Sequence, residues 1–179
     1  MRELFSQLGQ NLKNNKDAVL VTVVASSGST PRGAGARMLV TEAGRLCGTI
    51  GGGAVEYKSE KMAQEVLQKK SSYTEHFRLY RNEIEDLGMI CGGSVDVYFQ
   101  YIPAGDKKVI SLTETVEQLF KEGEQSWLIT EITEGAGGAL GIYGKRRGAV
   151  GMELPEEVIN SLDNRPKVLT INGKTYYCE

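Results

Sequence analysis

At 179 residues, with 40% hydrophobic and 25% charged side chains, the chain has the makeup of one soluble globular domain, or of two small lobes sharing a core. A formal net charge of -2, with no basic run and no pattern of stacked aromatics, argues against nucleic acid and anionic membranes as partners. No apolar stretch reaches the length of a signal-peptide core or a membrane span, so a cytoplasmic location is expected.

In chain order, Leu4, Phe5, Leu8 and Leu12 recur at helical spacing and predict a first amphipathic helix over residues 3–14. Residues 18–25, AVLVTVVA, are β-branched and almost continuously apolar, the pattern of a strand buried on both faces. SSGSTPRGAG follows as a loop, in which Pro31 fixes its own φ and pushes Thr30 towards extended geometry. Residues 37–41 and 45–50 predict a hairpin turning at Gly44. After Gly51, Gly52 and Gly53 comes a helix to about Lys69, with Val55, Met62, Ala63, Val66 and Leu67 on its core face. Residues 73–80 and 95–102 predict two further strands, with a charged loop and LGMICGG between them.

The remainder echoes this order. A helix is predicted over 113–121, and WLITEI at 127–132 corresponds to VLVTVV at 19–24. ALGIYGKRRGAVGM parallels the hairpin RMLVTEAGRLCGTIGG, LPEEVINSL makes a short helix, and Asn172–Gly173 turns a closing hairpin. The expected class is α+β: two related helix–strand–hairpin–helix–strand halves, residues 1–105 and 106–179, packed around a mixed β-sheet within one compact domain. The second half lacks STPR, the triple glycine and CGG. Features present on only one of two similar scaffolds are better candidates for function than for fold.

Three elements carry chemistry. In GSTPRG, Ser29, Thr30, Arg32 and glycine-flanked amides make an anion receptor; the bland alternative is a solvated turn whose arginine pairs with a nearby acid. In GTIGGG, the glycines give a ligand access to a helix N-terminus, where free N–H groups favour negative charge; the alternative is tight packing of backbone on backbone. No GK[ST] follows, so it is not a Walker A loop. Glu56, in the first turn of that helix, either caps it or binds a polar ligand edge. In CGG, Cys91 sits where neighbouring amides can stabilise a thiolate, or it is a small buried hydrophobe. Cys47 and Cys178 fall inside strands and read as structural. With no CxxC pair, three cysteines suit neither a disulfide framework nor a zinc site. His76, the single histidine, reads as a surface or satisfied residue, and no Ser/His/Asp set can be built around it.

Together, GSTPRGAGARMLV, GTIGGGAVE and LGMICGGSVDVYFQ resemble the xanthine dehydrogenase accessory protein (XdhC/CoxI) family over most of residues 15–102. The resemblance implies a homodimeric chaperone that binds the molybdenum cofactor (molybdopterin) transiently, protects it while its terminal sulfur is installed, and inserts it into a xanthine dehydrogenase-type molybdenum hydroxylase. It implies that hydroxylase and a cysteine desulfurase as partners, and a role that is not catalytic. Carried onto this chain, Ser29, Thr30, Arg32 and Gly51, Gly52 and Gly53 face the phosphate-bearing pterin, and Cys91 lies towards the molybdenum or the incoming sulfur. The expected pocket has three walls: residues 29–32, residues 51–56 including Glu56, and Cys91, Gly92 and Gly93. Family members often place cysteine or histidine directly after the glycine run, where this chain has Ala54. A typical member also continues into a Rossmann-like domain about where this chain ends. The chain is then a truncated or naturally short member, and no dinucleotide-linked activity is expected of it. Two other readings are a sulfur-transfer enzyme acting through Cys91, and an interaction module whose glycine loops form a dimer surface.

Overall fold

The computed structural model describes residues 1–79, 93–135 and 138–179. Helix α1 (Arg2–Lys13) is followed by β1 (Ala18–Gly28), β2 (Arg37–Thr41), β3 (Gly44–Thr49), α2 (Gly53–Lys69), β4 (Tyr73–Leu79) and β5 (Gly93–Ile102). The order then repeats with α3 (Lys107–Glu122), β6 (Ser126–Glu131), β7 (Leu140–Gly144), β8 (Gly148–Val150), α4 (Glu156–Asn160), β9 (Lys167–Ile171) and β10 (Lys174–Cys178). Two five-stranded sheets result, with the equivalent orders β3-β2-β1-β5-β4 and β8-β7-β6-β10-β9.

The class is α+β, as the sequence pattern implies. Every strand pair among the described residues is antiparallel, however, where a mixed sheet was expected. The reason lies in the crossover. A parallel pair forms when a crossover helix returns the chain beside the strand it left. Here α2 carries the chain from the β3 edge to the opposite edge, and the strand delivered there, β4, pairs with β5.

Strand β1 is buried on both faces because each face meets a different apolar layer. Val19, Val21 and Val23 join Val55, Ala63, Val66 and Leu67 of α2 and Val95, Val97 and Phe99 of β5. Ala18 and Leu20 face the other way, into a core that also takes in Leu4, Phe5, Leu8 and Leu12 of α1 and Leu112, Val116 and Leu119 of α3. Leu128, Leu140 and Ile142 of the second sheet close it. Phe5, Leu8 and Leu12 are completely buried, each burial contributing about 1.5–3 kcal/mol. On the outer side of the second sheet, Val158 of α4 packs with Trp127, Ile129 and Tyr176.

Two boundaries move from their expected places. Helix α3 begins six residues before Thr113, because Asp106 caps it by accepting from the amides of Lys108 (2.9 Å) and Val109 (3.1 Å). Strand β1 runs to Gly28 rather than Ala25, with a register shift between Val23 and Ala25. That bulge turns Val24 inward onto Tyr98 and Tyr177, and it delivers Ser27 and Gly28 to the site end of the first sheet opposite Ser94 and Gly93.

Candidate functional site

The loop of residues 29–36 leaves β1 at that end of the sheet, and two glycines hold it down. A Cβ added to Gly93 would lie 2.5 Å from the Ser27 carbonyl oxygen and 2.7 Å from that of Ser29. A Cβ added to Gly51, whose φ is +130°, would lie 2.8 Å from the Pro31 Cβ. Only glycine lets the backbone approach so closely, and at Gly51 only glycine takes the dihedral readily. The loop is thus gripped between the β3–α2 turn and the first residue of β5, which brings the STPR loop, Gly51 and Gly93 into direct proximity. Cys91 and Gly92 lie outside the described residues.

The grip leaves the loop's polar groups outward. Ser29 and Arg32 are exposed and Thr30 is half-buried; none of their side chains has a hydrogen bond or ion pair with a described residue. In the facing turn Gly52 has φ +77° and no described residue near the position of an added Cβ, and Gly53 is exposed. The N-cap residue, Gly52, brings no side chain to cap the α2 N-terminus. A helix start whose N-cap residue is a glycine, a guanidinium and two hydroxyls therefore share one surface.

Glu56 faces inward instead, and of the two roles open to it the structure shows the cap. Its buried carboxylate accepts from the amides of Ile50 (2.9 Å) and Gly52 (3.1 Å), from the Thr49 hydroxyl, and from Arg45. Burial alone would push this carboxyl up. The Thr49 hydroxyl, the two amides and the Arg45 guanidinium outweigh it and hold the group below its usual range. The β3–α2 turn is consequently built around a buried anion, and Arg45 offsets its charge.

Three features of the site carry no sequence motif. Arg37 opens β2, and its side chain is 4% exposed; its Nη1 donates to the Glu179 carboxylate and to the Gly35 carbonyl (3.3 Å). Tyr177 donates to the other Glu179 oxygen at 2.8 Å. His76 on β4 bonds through Nδ1 to Asp96 on β5, one register step along the same face from Ser94, whose hydroxyl lies 2.8 Å from that of Ser27. The expectation of a surface or satisfied histidine holds, and its acid partner was not foreseen. A lone arginine beginning the run RMLV, and a glutamate directly after YYC, are the only sequence signals for the Arg37 pair.

Behind the loop, a cleft of about 420 Å³ is lined by Arg32, Arg37, Cys47, Thr49 and the first turn of α1. Burial, and then the nearby Glu3 carboxylate, push the Cys47 thiol up. Cys178 is pushed up to about 11 by burial. Neither is a thiolate at neutral pH, in keeping with the structural reading of both. Among the described residues, no cluster of three or more His, Cys, Asp or Glu side chains could hold a metal, and no helix is long and apolar enough to cross a membrane.

Comparison with known proteins places this geometry. The model of the XdhC and CoxI family matches residues 12–78, from the end of α1 to β4 and through both the loop and the triple glycine. Uncharacterised protein YqeB of Escherichia coli K12 is 36% identical over 95 residues, which is 53% of this chain and 17% of YqeB. The molybdenum cofactor insertion chaperone PaoD of the same organism is 35% identical over 88 residues, 47% of this chain and 26% of PaoD. The matched stretch thus spans about a quarter or less of the length of these relatives. A crystal structure of a protein described as a xanthine dehydrogenase from Bacillus halodurans superposes with a TM-score of 0.69 over 97% of this chain and 52% of that one. Its 21% identity shows a shared fold, extending through both sheets. Loop, glycine turn and family model thus coincide, all falling within the residues 12–78 that match the XdhC and CoxI family.

Proposed function

We propose that this chain is a molybdenum cofactor chaperone: it binds molybdopterin transiently at the surface formed by Ser29, Thr30, Arg32 and Gly51–Gly53, and assists sulfuration of the cofactor and its insertion into a xanthine dehydrogenase-type hydroxylase. The observation that carries the reading is the unshared polar surface of the loop. Arg32, Ser29 and Thr30 have no partners among the described residues, and they stand beside a helix start entered through glycines, in a chain whose relative PaoD is a cofactor insertion chaperone.

The residues present fit the group. An exposed guanidinium matches a phosphate, hydroxyls and backbone amides match its remaining oxygens, and the open space at Gly52 leaves room for approach. When bound, the cofactor supplies the molybdenum centre that the recipient hydroxylase uses. This chain's own residues bind and orient. Arg32 takes the negative charge, Ser29 and Thr30 fix direction, and Glu56 holds the glycine turn open from beneath without touching the ligand. The sulfuration part of the proposal rests on Cys91, with a cysteine desulfurase as sulfur donor. A homodimer that works in the cytoplasm completes the reading.

Titration of the purified chain with molybdopterin tests it. Saturable binding near one per chain is expected, with a rise in melting temperature through linkage. Arg32→Ala should weaken binding about tenfold, the scale of a lost charge-assisted hydrogen bond, and leave the melting temperature of the free protein unchanged. Wild-type protein that neither binds nor is stabilised by molybdopterin would rule the reading out.

A further inference from the structure

The second sheet contributes nothing to the surface just described, yet it reaches the loop's other end. Glu179 follows β10, and its backbone pairs with Leu128 of β6 in both directions (2.8 and 3.0 Å), so its side chain projects from a fixed point. One carboxylate oxygen accepts from Arg37 Nη1 and the other from the Tyr177 hydroxyl. The Tyr177 ring lies under the guanidinium, 5.9 Å from Arg37 Cζ to the ring centroid. This matters because Arg37 Nε and Nη2 are buried with no acceptor among the described residues, so the ring face and Glu179 are what offset the buried charge.

The same group touches the loop directly. Gly35 has φ +94°, and a Cβ there would lie 2.7 Å from Glu179 Oε2. The Gly35 carbonyl accepts from Arg37, its amide donates to Val23 (2.9 Å), and Ala34 packs on Tyr177 and Val24. Residues 34–36 are therefore seated on a carboxylate and a tyrosine supplied by the second sheet, four residues or fewer from Arg32.

We infer that Arg37, Glu179 and Tyr177 form a brace by which the second sheet positions the STPR loop. They are positioning residues and do not touch the ligand. The inference deepens the binding reading above, and it also gives a role to a sister scaffold that lacks the motifs. The residues are separated by some 140 positions in sequence, so the brace exists only when both sheets are in place. Without the brace, residues 34–36 would be held only by the backbone bonds of Gly35 and Ala36 to Val23, and the orientation of Arg32 would loosen with them.

The test uses trypsin, because Arg32–Gly33 is an exposed tryptic bond within the loop. In Glu179→Gln, cleavage there, mapped by mass spectrometry, should accelerate about tenfold, as expected for loss of a charge-assisted contact in a locally opening segment. Cleavage at the Lys69–Lys70 end of α2 should keep its wild-type rate, which a general loss of stability would not allow. Tyr177→Phe removes one hydroxyl, should fold whatever Glu179→Gln does, and should show a smaller acceleration confined to the same bond. Wild-type cleavage at Arg32–Gly33 in Tyr177→Phe and in folded Glu179→Gln, or acceleration at both bonds together, overturns the brace. The readout involves no cofactor. If the loop loosens as expected while Arg32→Ala binds molybdopterin normally, the brace stands and the binding reading falls.

Discussion

The two halves of the molecule solve the same folding problem and spend the result differently. In each, a strand leaves the centre of a five-stranded sheet and the neighbouring strand begins after eight intervening residues: 29–36 in the first half and 132–139 in the second. The loops are STPRGAGA and ITEGAGGA, equal in length and both rich in small residues. The tip charge is opposite, with Arg32 in one and exposed Glu134 in the other. The outer helix also differs. It is 17 residues long after a triple glycine in the first half, and five residues long after Pro155 in the second. Loop length and glycine content therefore belong to the scaffold, while the cation, the long helix and the glycine turn belong to the site.

The sharpest structural contrast is what faces the last strand residue before each loop. Gly28 is paired with Gly93 in the first sheet, whereas Glu131 is paired with Tyr176 in the second. Even a methyl does not fit at Gly93, because the Ser27 and Ser29 carbonyls already occupy the space. Gly93→Ala should cost about 2–3 kcal/mol, since the obstruction is backbone rather than a side chain that can swing away. Urea unfolding measures it, and a loss below about 0.5 kcal/mol, the range of an ordinary surface change, would mean the loop is not seated on Gly93.

Much of the scaffold was legible because its determinants are local. Apolar periodicity placed α1, β1 and the β2–β3 hairpin, and Asn172–Gly173, with φ of 52° and 76°, turns the last hairpin as its sequence implies. The start of α3 was set too late, although Val109 and Leu112 carry the apolar spacing of Val116 and Leu119 back to the Asp106 cap. The antiparallel sheets could not be read from the elements alone, since the edge at which a crossover lands is settled by packing. For the site, residue types picked out Arg32, Ser29, Thr30 and the glycine turn, but the Arg37–Glu179–Tyr177 contacts are long-range pairings that no spacing announces. Of the expected third wall, Cys91 and Gly92 fall outside the described residues, and the structure describes Gly93.

The second contrast concerns the helix starts. Glu56 folds back beneath the glycine turn, whereas Glu156 and Glu157 at the start of α4 are exposed. Since the folded-state pKa of Glu56 lies below its unfolded value of about 4.3, its contribution is fully present above that value and is lost as the pH falls through the folded one. Glu56→Gln should therefore be less stable than wild type by about 2 kcal/mol at pH 7, with the two unfolding curves converging as the pH drops below about 4. Glu157→Gln should match wild type throughout. A constant gap for Glu56→Gln down to pH 2 would show that shape rather than charge holds the turn.

The smallest effect tests whether a cation at the loop tip is sufficient. Glu134→Arg gives the second loop the charge of the first, and an exposed position predicts a stability change within about 0.5 kcal/mol. It should not create a second site for molybdopterin or inorganic phosphate. The corresponding helix, α4, is only five residues long and is entered through Pro155 instead of three glycines, so the second half has no counterpart of the glycine turn and long helix start of α2. Stoichiometry by equilibrium titration should stay at the wild-type value. A second equivalent of bound ligand would mean that the guanidinium alone makes the receptor, and that the glycine turn and the grip of Gly51 and Gly93 on the loop are features of packing only.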